Sequence, residues 1–207
     1  MSPTMNIRLD SEQISQTVTS LEVFHSIWQS ILQQIASINR YIRCVQIDGE
    51  IYYDGYELYI QHHFYEIKHI NIITITPQDS LDETITEIQK YNAKLILAVE
   101  DIGKAFYGDL TEENWNQFSN LFEGIGWLYQ SLEFCLILIE KTKMKRELTE
   151  TLRTAADKLK ISLSDIEQAL NEQEYITVGD IIQYELGNVF ELIHEKIRIG
   201  EIDERKI

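Results

Sequence analysis

The sequence contains three Glu-x-x-His pairs: Glu22-Val-Phe-His25, Glu66-Ile-Lys-His69 and Glu191-Leu-Ile-His194. In a helix this spacing puts a carboxylate and an imidazole on one face. Helical bundles use two such pairs, with two further glutamates, to hold a pair of metal ions. Glu100 and Glu123, near the middles of two long amphipathic segments, are the candidates for those glutamates. The chemistry would be redox or hydrolytic.

Two features of the string weigh against that site. In the usual di-metal order each pair follows a helix that gives a single Glu, and here the first pair precedes both. Helix phase is the second obstacle. Phe24 and Trp28 mark the inner face of the first helix, so Glu22 and His25 fall beside it, and Glu191 and His194 flank the inward Val189 and Ile193 in the same way. The metalloprotein is therefore the second reading, and a protein without cofactor the first.

The stretch QHHFYEIKH, Gln61 to His69, gathers three of the five histidines. His62 and Glu66 share a helix face, but His63 points about a hundred degrees away and His69 lies beyond the helix end. Ile60, Phe64 and Ile67 form the buried face, which makes the stretch a junction between helix and strand.

Other site chemistries lack their residues. The sequence has no Gly-rich phosphate loop, no nucleophile elbow and no cysteine pair at zinc spacing. Cys44 and Cys135 lie in apolar runs and read as buried thiols. The formal net charge of −16 disfavours nucleic acid and anionic membrane surfaces, because both are bound through Lys and Arg. It leaves open a weaker alternative, an acidic nucleic-acid mimic that occupies a basic groove. The N-terminal residues turn polar and acidic where a signal peptide would be apolar, and Phe134 to Ile139 is too short an apolar run to span a bilayer. A cytoplasmic location is expected.

The elements that must carry these residues follow from periodicity. Ile14, Val18, Leu21, Phe24, Trp28, Ile31, Ile35, Ile38 and Ile42 predict a helix from about Ser11 to Ile42, or two joined near Thr19. Asp48-Gly49 predicts a hairpin turn, Asp54 and Glu57 a capping box, and HINIITIT a strand that ends before Pro77. From there the pattern is helical. Thr76 and Pro77 open a helix to Phe106, and a second from Thr111 to Ile139 must return antiparallel to it. A helix around Leu148 to Leu159, a short one opened by Ser164 and Glu167, and a last one after Thr177 complete the chain.

The expected fold is thus α+β and predominantly helical. Residues 1–77 form a small α-β-β-α-β unit with a hairpin and three strands, and residues 78–207 form an antiparallel helical bundle, packed together in one body. Asn92 falls on the seam of the first long helix and Glu185 on the inward stripe of the last, so both are expected as buried polar groups. Tyr52, Tyr53, Tyr56 and Tyr59 form a candidate interaction surface. The wide apolar stripe of the Thr111–Ile139 helix, which Trp127, Phe134 and Leu138 extend to another side, points to a homodimer. These features together predict a non-enzymatic, cytoplasmic protein-interaction or regulatory protein with an unspecified protein partner.

Overall fold

In the computed structural model, which describes residues 5–10, 12–142 and 146–197 without the side chains of 13–17, 146 and 147, turn chemistry builds the sheet. Asp48 (φ 48°) and Gly49 (φ 100°) both take positive φ, the two-residue geometry that matches strand twist. They join β3 (Tyr41–Ile47) to β4 (Glu50–Tyr52), with Ile47 opposite Glu50 and Val45 opposite Tyr52. The Asp48 carboxylate also accepts from the amides of Lys68 and His69 at 2.7–3.1 Å, which ties the turn to β5 (His69–Ile75).

The chain is predominantly helical α+β and divides into two compact units, Met1–Ser80 and Leu81–Ile207. The first unit holds a five-stranded sheet in the order β2-β1-β5-β3-β4, where β1 is Met5–Leu9 and β2 is Glu12–Val18. β1 and β5 run parallel and the other neighbours antiparallel. Alternation puts Met5, Ile7, Leu9, Val45, Ile47, Ile70 and Ile72 on the buried face. They share one core with Phe24, Ile27, Trp28, Ile31 and Ile35 of α1 (Leu21–Ser37) and Ile60 of α2 (Tyr56–His63).

Two expectations need correction here. The first helix does not begin near Ser11, because residues 12–18 pair with β1. Ile14 and Val18 satisfy a strand period of two as well as a helix period of four, and β1 supplies the hydrogen-bonding edge that decides between them. Ser20 then caps α1, its Oγ accepting from the Val23 amide at 3.3 Å. Asp54 makes no capping box either. Gly55 (φ 62°) is the cap residue of α2, and Glu57 instead accepts from Trp28 Nε1 at 2.9 Å.

The second unit is built from α3 (Pro77–Ala105), α4 (Glu112–Thr142), α5 (Arg146–Asn171) and a last helix in three parts: α6 (Tyr175–Asp180), a π-helical stretch Ile181–Leu186, and α7 (Gly187–Lys196). Tyr91 meets Trp127 and Phe106 meets Phe118, so α3 and α4 are antiparallel. Asn92 meets Phe190 and Gly103 meets Gly179, so the last helix is antiparallel to α3 as well. α5 packs between α4 and the last helix and closes an up-and-down four-helix bundle.

α5 is one helix, where the sequence suggested two. Leu152, Ala155, Leu159, Ser162, Ile166 and Ala169 form a continuous buried stripe at spacings of three and four. Ser162 interrupts that stripe in the string but not in space, because its Oγ lies 3.3 Å from Glu185 Oε2.

α3 and α6 cross with close backbone approach. A Cβ on Gly179 would lie 2.9 Å from the Gly103 carbonyl oxygen and 3.1 Å from Phe106 Cβ, so α6 accepts no side chain there. Gly126, in the middle of α4, has nothing within 4 Å of such a Cβ. Gly179→Ala should therefore destabilise the protein by about 1–3 kcal/mol through overpacking. Gly126→Ala should stabilise it by about 0.5–1 kcal/mol through helix propensity. Urea midpoints of the two variants measure both effects.

Beside this crossing the Tyr107 hydroxyl donates to Asp180 Oδ1 at 2.5 Å. That hydrogen bond, then burial and the Asp180 charge, push the phenol up from 10.0 to about 12. The neutral phenol is the form the fold prefers, so this contribution to stability is complete below pH 10 and is lost as pH rises through about 12. In a phenolate absorbance titration, Asp180→Asn should bring one tyrosine back toward the ordinary range. An unchanged titration curve would mean that Asp180 does not hold the proton.

Candidate functional site

The six residues of the metal reading are divided between the two units, two in the first and four in the second. Glu22 and His25 are exposed on α1 of the first unit, one step off the face that buries Phe24 and Trp28. In the second unit Glu123, Glu191 and His194 are exposed, and Glu100 is bound to Lys104 Nζ at 2.5 Å. That lysine holds the Glu100 carboxyl below its usual range. Among the described residues no three His, Cys, Asp or Glu side chains gather into a set that could hold an ion. Helix phase is the reason: the apolar seams face the sheet core in α1 and the bundle interior in the later helices, and in both units these donors sit off the seams.

The histidine-rich stretch divides as its spacing requires. His62 and His69 are exposed, while His63 stacks on Tyr59 at 4.5 Å and places Nδ1 3.1 Å from Glu66 Oε2. The tyrosine surface is narrower than four residues. Tyr52 and Tyr59 pack together at 4.8 Å and Tyr56 lies 5.9 Å from Trp28, all half-buried against the sheet core. Tyr59, burial and Glu50, whose Oε2 accepts from the Tyr52 hydroxyl at 2.9 Å, together raise the Tyr52 phenol well above its ordinary value. Only Tyr53, 72% exposed, projects into solvent, beside Leu58 at a shallow hollow around the start of α2.

Glu185 is exposed, contrary to its place on the inward stripe. Leu186, four residues after Ile182, takes the inward position, and in the π-helical stretch Glu185 turns out toward Ser162 of α5. Lys158, Ile161 and Asn188 line the same small groove. Asn92 is fully buried. Its Nδ2 donates to the Phe190 carbonyl at 2.7 Å, and its Oδ1 has no partner. The two thiols are buried, and burial pushes Cys135 up to about 12, far from a reactive thiolate.

The outer face of the sheet carries a feature that the string hides. Asn6, Arg8, Gln46, His69 and Asn71 meet in a shallow polar hollow, with Asn71 Oδ1 buried and unpartnered. Strands more than sixty residues apart supply its wall, in the register that sets Arg8 opposite Asn71.

An exposed aromatic surface also lies on the bundle. α4 is long and apolar enough to pass as a membrane span by length and composition, yet only 39% of its most apolar window is buried. Much of the remaining apolar area is Phe122, Trp127, Phe134 and Ile137. Trp127 (41% exposed) and Phe134 (43% exposed) stand one heptad apart on the side facing α3. There they form a groove of about 370 Å³ with Glu83, Thr84 and Glu87 of α3 and Gln130 and Ser131 of α4. Tyr91 supports Trp127 edge-on at 4.9 Å, and Glu87 pairs with Lys90 at 2.8 Å. Leu138, which the sequence placed with these two aromatics, is buried in the bundle.

Residues 83–196, and with them all of this groove, match a family described as a domain of unknown function, DUF8042. The chain belongs to that family. No curated protein and no solved structure matches it. The DUF8042 region contains most of α3, all of α4 and α5, and the last helix to Lys196, so the family domain is the four-helix bundle itself.

Asn92 supplies a test of the bundle core. Asn92→Asp would place a carboxylate against the Phe190 carbonyl without a donor, and should cost about 3 kcal/mol or more. Asn92→Leu removes both the donor and the unpartnered oxygen and should stay within about 1.5 kcal/mol of the parent. Thermal unfolding by circular dichroism ranks the two; equal losses would refute a hydrogen-bonding role.

Proposed function

We propose that this is a non-enzymatic interaction or regulatory protein, and that its DUF8042 bundle binds another protein through the α3–α4 groove. The observation that carries this reading is the pair Trp127 and Phe134, held partly exposed and one heptad apart on a rigid helix. Aromatic side chains cost little rotamer entropy to fix and bury large areas, so they serve as anchors at protein interfaces. The outer position of these two rings follows from the packing of α4. Its inner arc, Leu121, Gly124, Leu128, Leu132 and Cys135, already fills the bundle, and the two rings lie outside it.

In the first unit Tyr53 and Leu58 offer a smaller apolar surface beside Asp54 and Glu57, which supports a subsidiary contact rather than the main one.

The test is affinity capture from the native cell with the full-length chain, in parallel with a Trp127→Ala/Phe134→Ala variant whose fold is checked by circular dichroism. A partner held by the parent should fall at least tenfold with the variant, as expected for loss of two anchors. Identical sets of captured proteins with both chains would place the binding surface elsewhere.

A further inference from the structure

The groove has a chemistry that narrows its occupant. Trp127 and Phe134 are about 10.5 Å apart along α4, from seven residues at 1.5 Å each. An amphipathic helix presents its own anchors at that interval through positions i, i+3, i+4 and i+7. The walls are acidic. Glu83 and Glu87 line the groove on α3, and Glu123 is exposed one turn before Trp127 on α4. The Glu87–Lys90 pair is exposed on both sides, at 59% and 64%, so it contributes little and can exchange for an incoming cation. The whole chain adds a formal charge of −16, which attracts cationic partners over the range of a Debye length.

We infer that the α3–α4 groove receives a basic amphipathic helix of another protein, whose apolar face covers Trp127 and Phe134 and whose Lys or Arg side chains meet Glu83 and Glu87. This rests on the interaction reading above and adds the class of partner. A second copy of the chain fits less well, because a two-fold contact would bring two acidic rims and two charges of −16 together. A lipid surface fits less well because the same glutamates would enter the headgroup layer beside the rings.

The probe is a labelled 20-residue helix with Leu at i, i+3, i+4 and i+7 and Lys on its flanks, titrated with full-length protein and read by fluorescence anisotropy. A second probe carries the same Leu pattern with Glu in place of Lys. The Lys probe should bind at least tenfold more tightly than the Glu probe and weaken several-fold between about 0.05 and 0.3 M salt. Trp127→Ala should reduce its binding about tenfold. Glu83→Gln/Glu87→Gln, a surface change that leaves the core intact, should weaken it about threefold and flatten its salt dependence.

Equal binding of the two probes, or none of the Lys probe, overturns this inference. Loss of the cellular partner on changing Trp127 and Phe134 would still support the interaction reading, so the two failures are distinguishable. Sedimentation showing a dimer that Trp127→Ala dissociates would make the second copy the occupant. Trp127-dependent binding to phosphatidylcholine vesicles would make it a lipid surface. Either result also overturns the basic-helix assignment.

Discussion

The register between α3 and the last helix is fixed at two points, and the rest of the bundle is arranged around them. Gly103 and Gly179 let the two backbones approach until a Cβ on Gly179 would clash with the Gly103 carbonyl, and eleven residues away on each helix Asn92 donates to the Phe190 carbonyl. A sliding helix would lose the hydrogen bond and drive Phe106 or Gln183 into the other backbone. Close-packed interiors offer no intermediate positions, so these contacts define one arrangement. The π-helical stretch lies between them, and in it Leu186 is buried while Glu185 reaches Ser162 of α5. α4 is seated on α3 by separate contacts, Tyr91 on Trp127 and Phe106 on Phe118. The aromatic groove is what remains of α4 once the bundle has taken its inner arc.

The first unit shows the same economy with a sheet. Its turns are held by side chains that double as structural ties: Asp48 both bends the β3–β4 hairpin and caps two amides at the start of β5, while Asp10 accepts from Thr74 and approaches Arg40. Polar groups spent in this way are unavailable for chemistry. Among the surfaces the unit offers to solvent are Tyr53 with Leu58, and the polar face around Arg8 and Asn71.

Much of the fold was legible in the string. The DG turn, Thr76 before Pro77, and the apolar stripes of α3, α4 and the last helix depend on local backbone preference and periodicity, which act within a few residues. The failures occurred where a distant partner decides. Residues 12–18 became a strand because β1 offers an edge, and the capping role of Glu57 was displaced by Trp28, twenty-nine residues earlier. Ser164 and Glu167 have the spacing of a helix start, yet α5 runs through them because its buried stripe continues unbroken from Leu152 to Ala169. The candidate site was half legible. The surplus of apolar residues on α4 was visible, but the groove needs the α3 carboxylates on its other wall.

By itself the sequence determined the predominantly helical α+β class, the antiparallel hairpin of long helices and an excess of acidic charge, because periodicity, breakers and composition carry those properties. The tertiary structure decided which of the ionisable and aromatic side chains share a surface. Glu22, His25, Glu191 and His194 have the residue types of a metal site but the wrong helix phase. Trp127, Phe134 and Leu138 extend the apolar stripe of α4 alike in the string, but only the two aromatics stayed exposed while Leu138 was taken into the bundle. Exposure depends on what the rest of the chain covers, and that is settled only when distant elements pack.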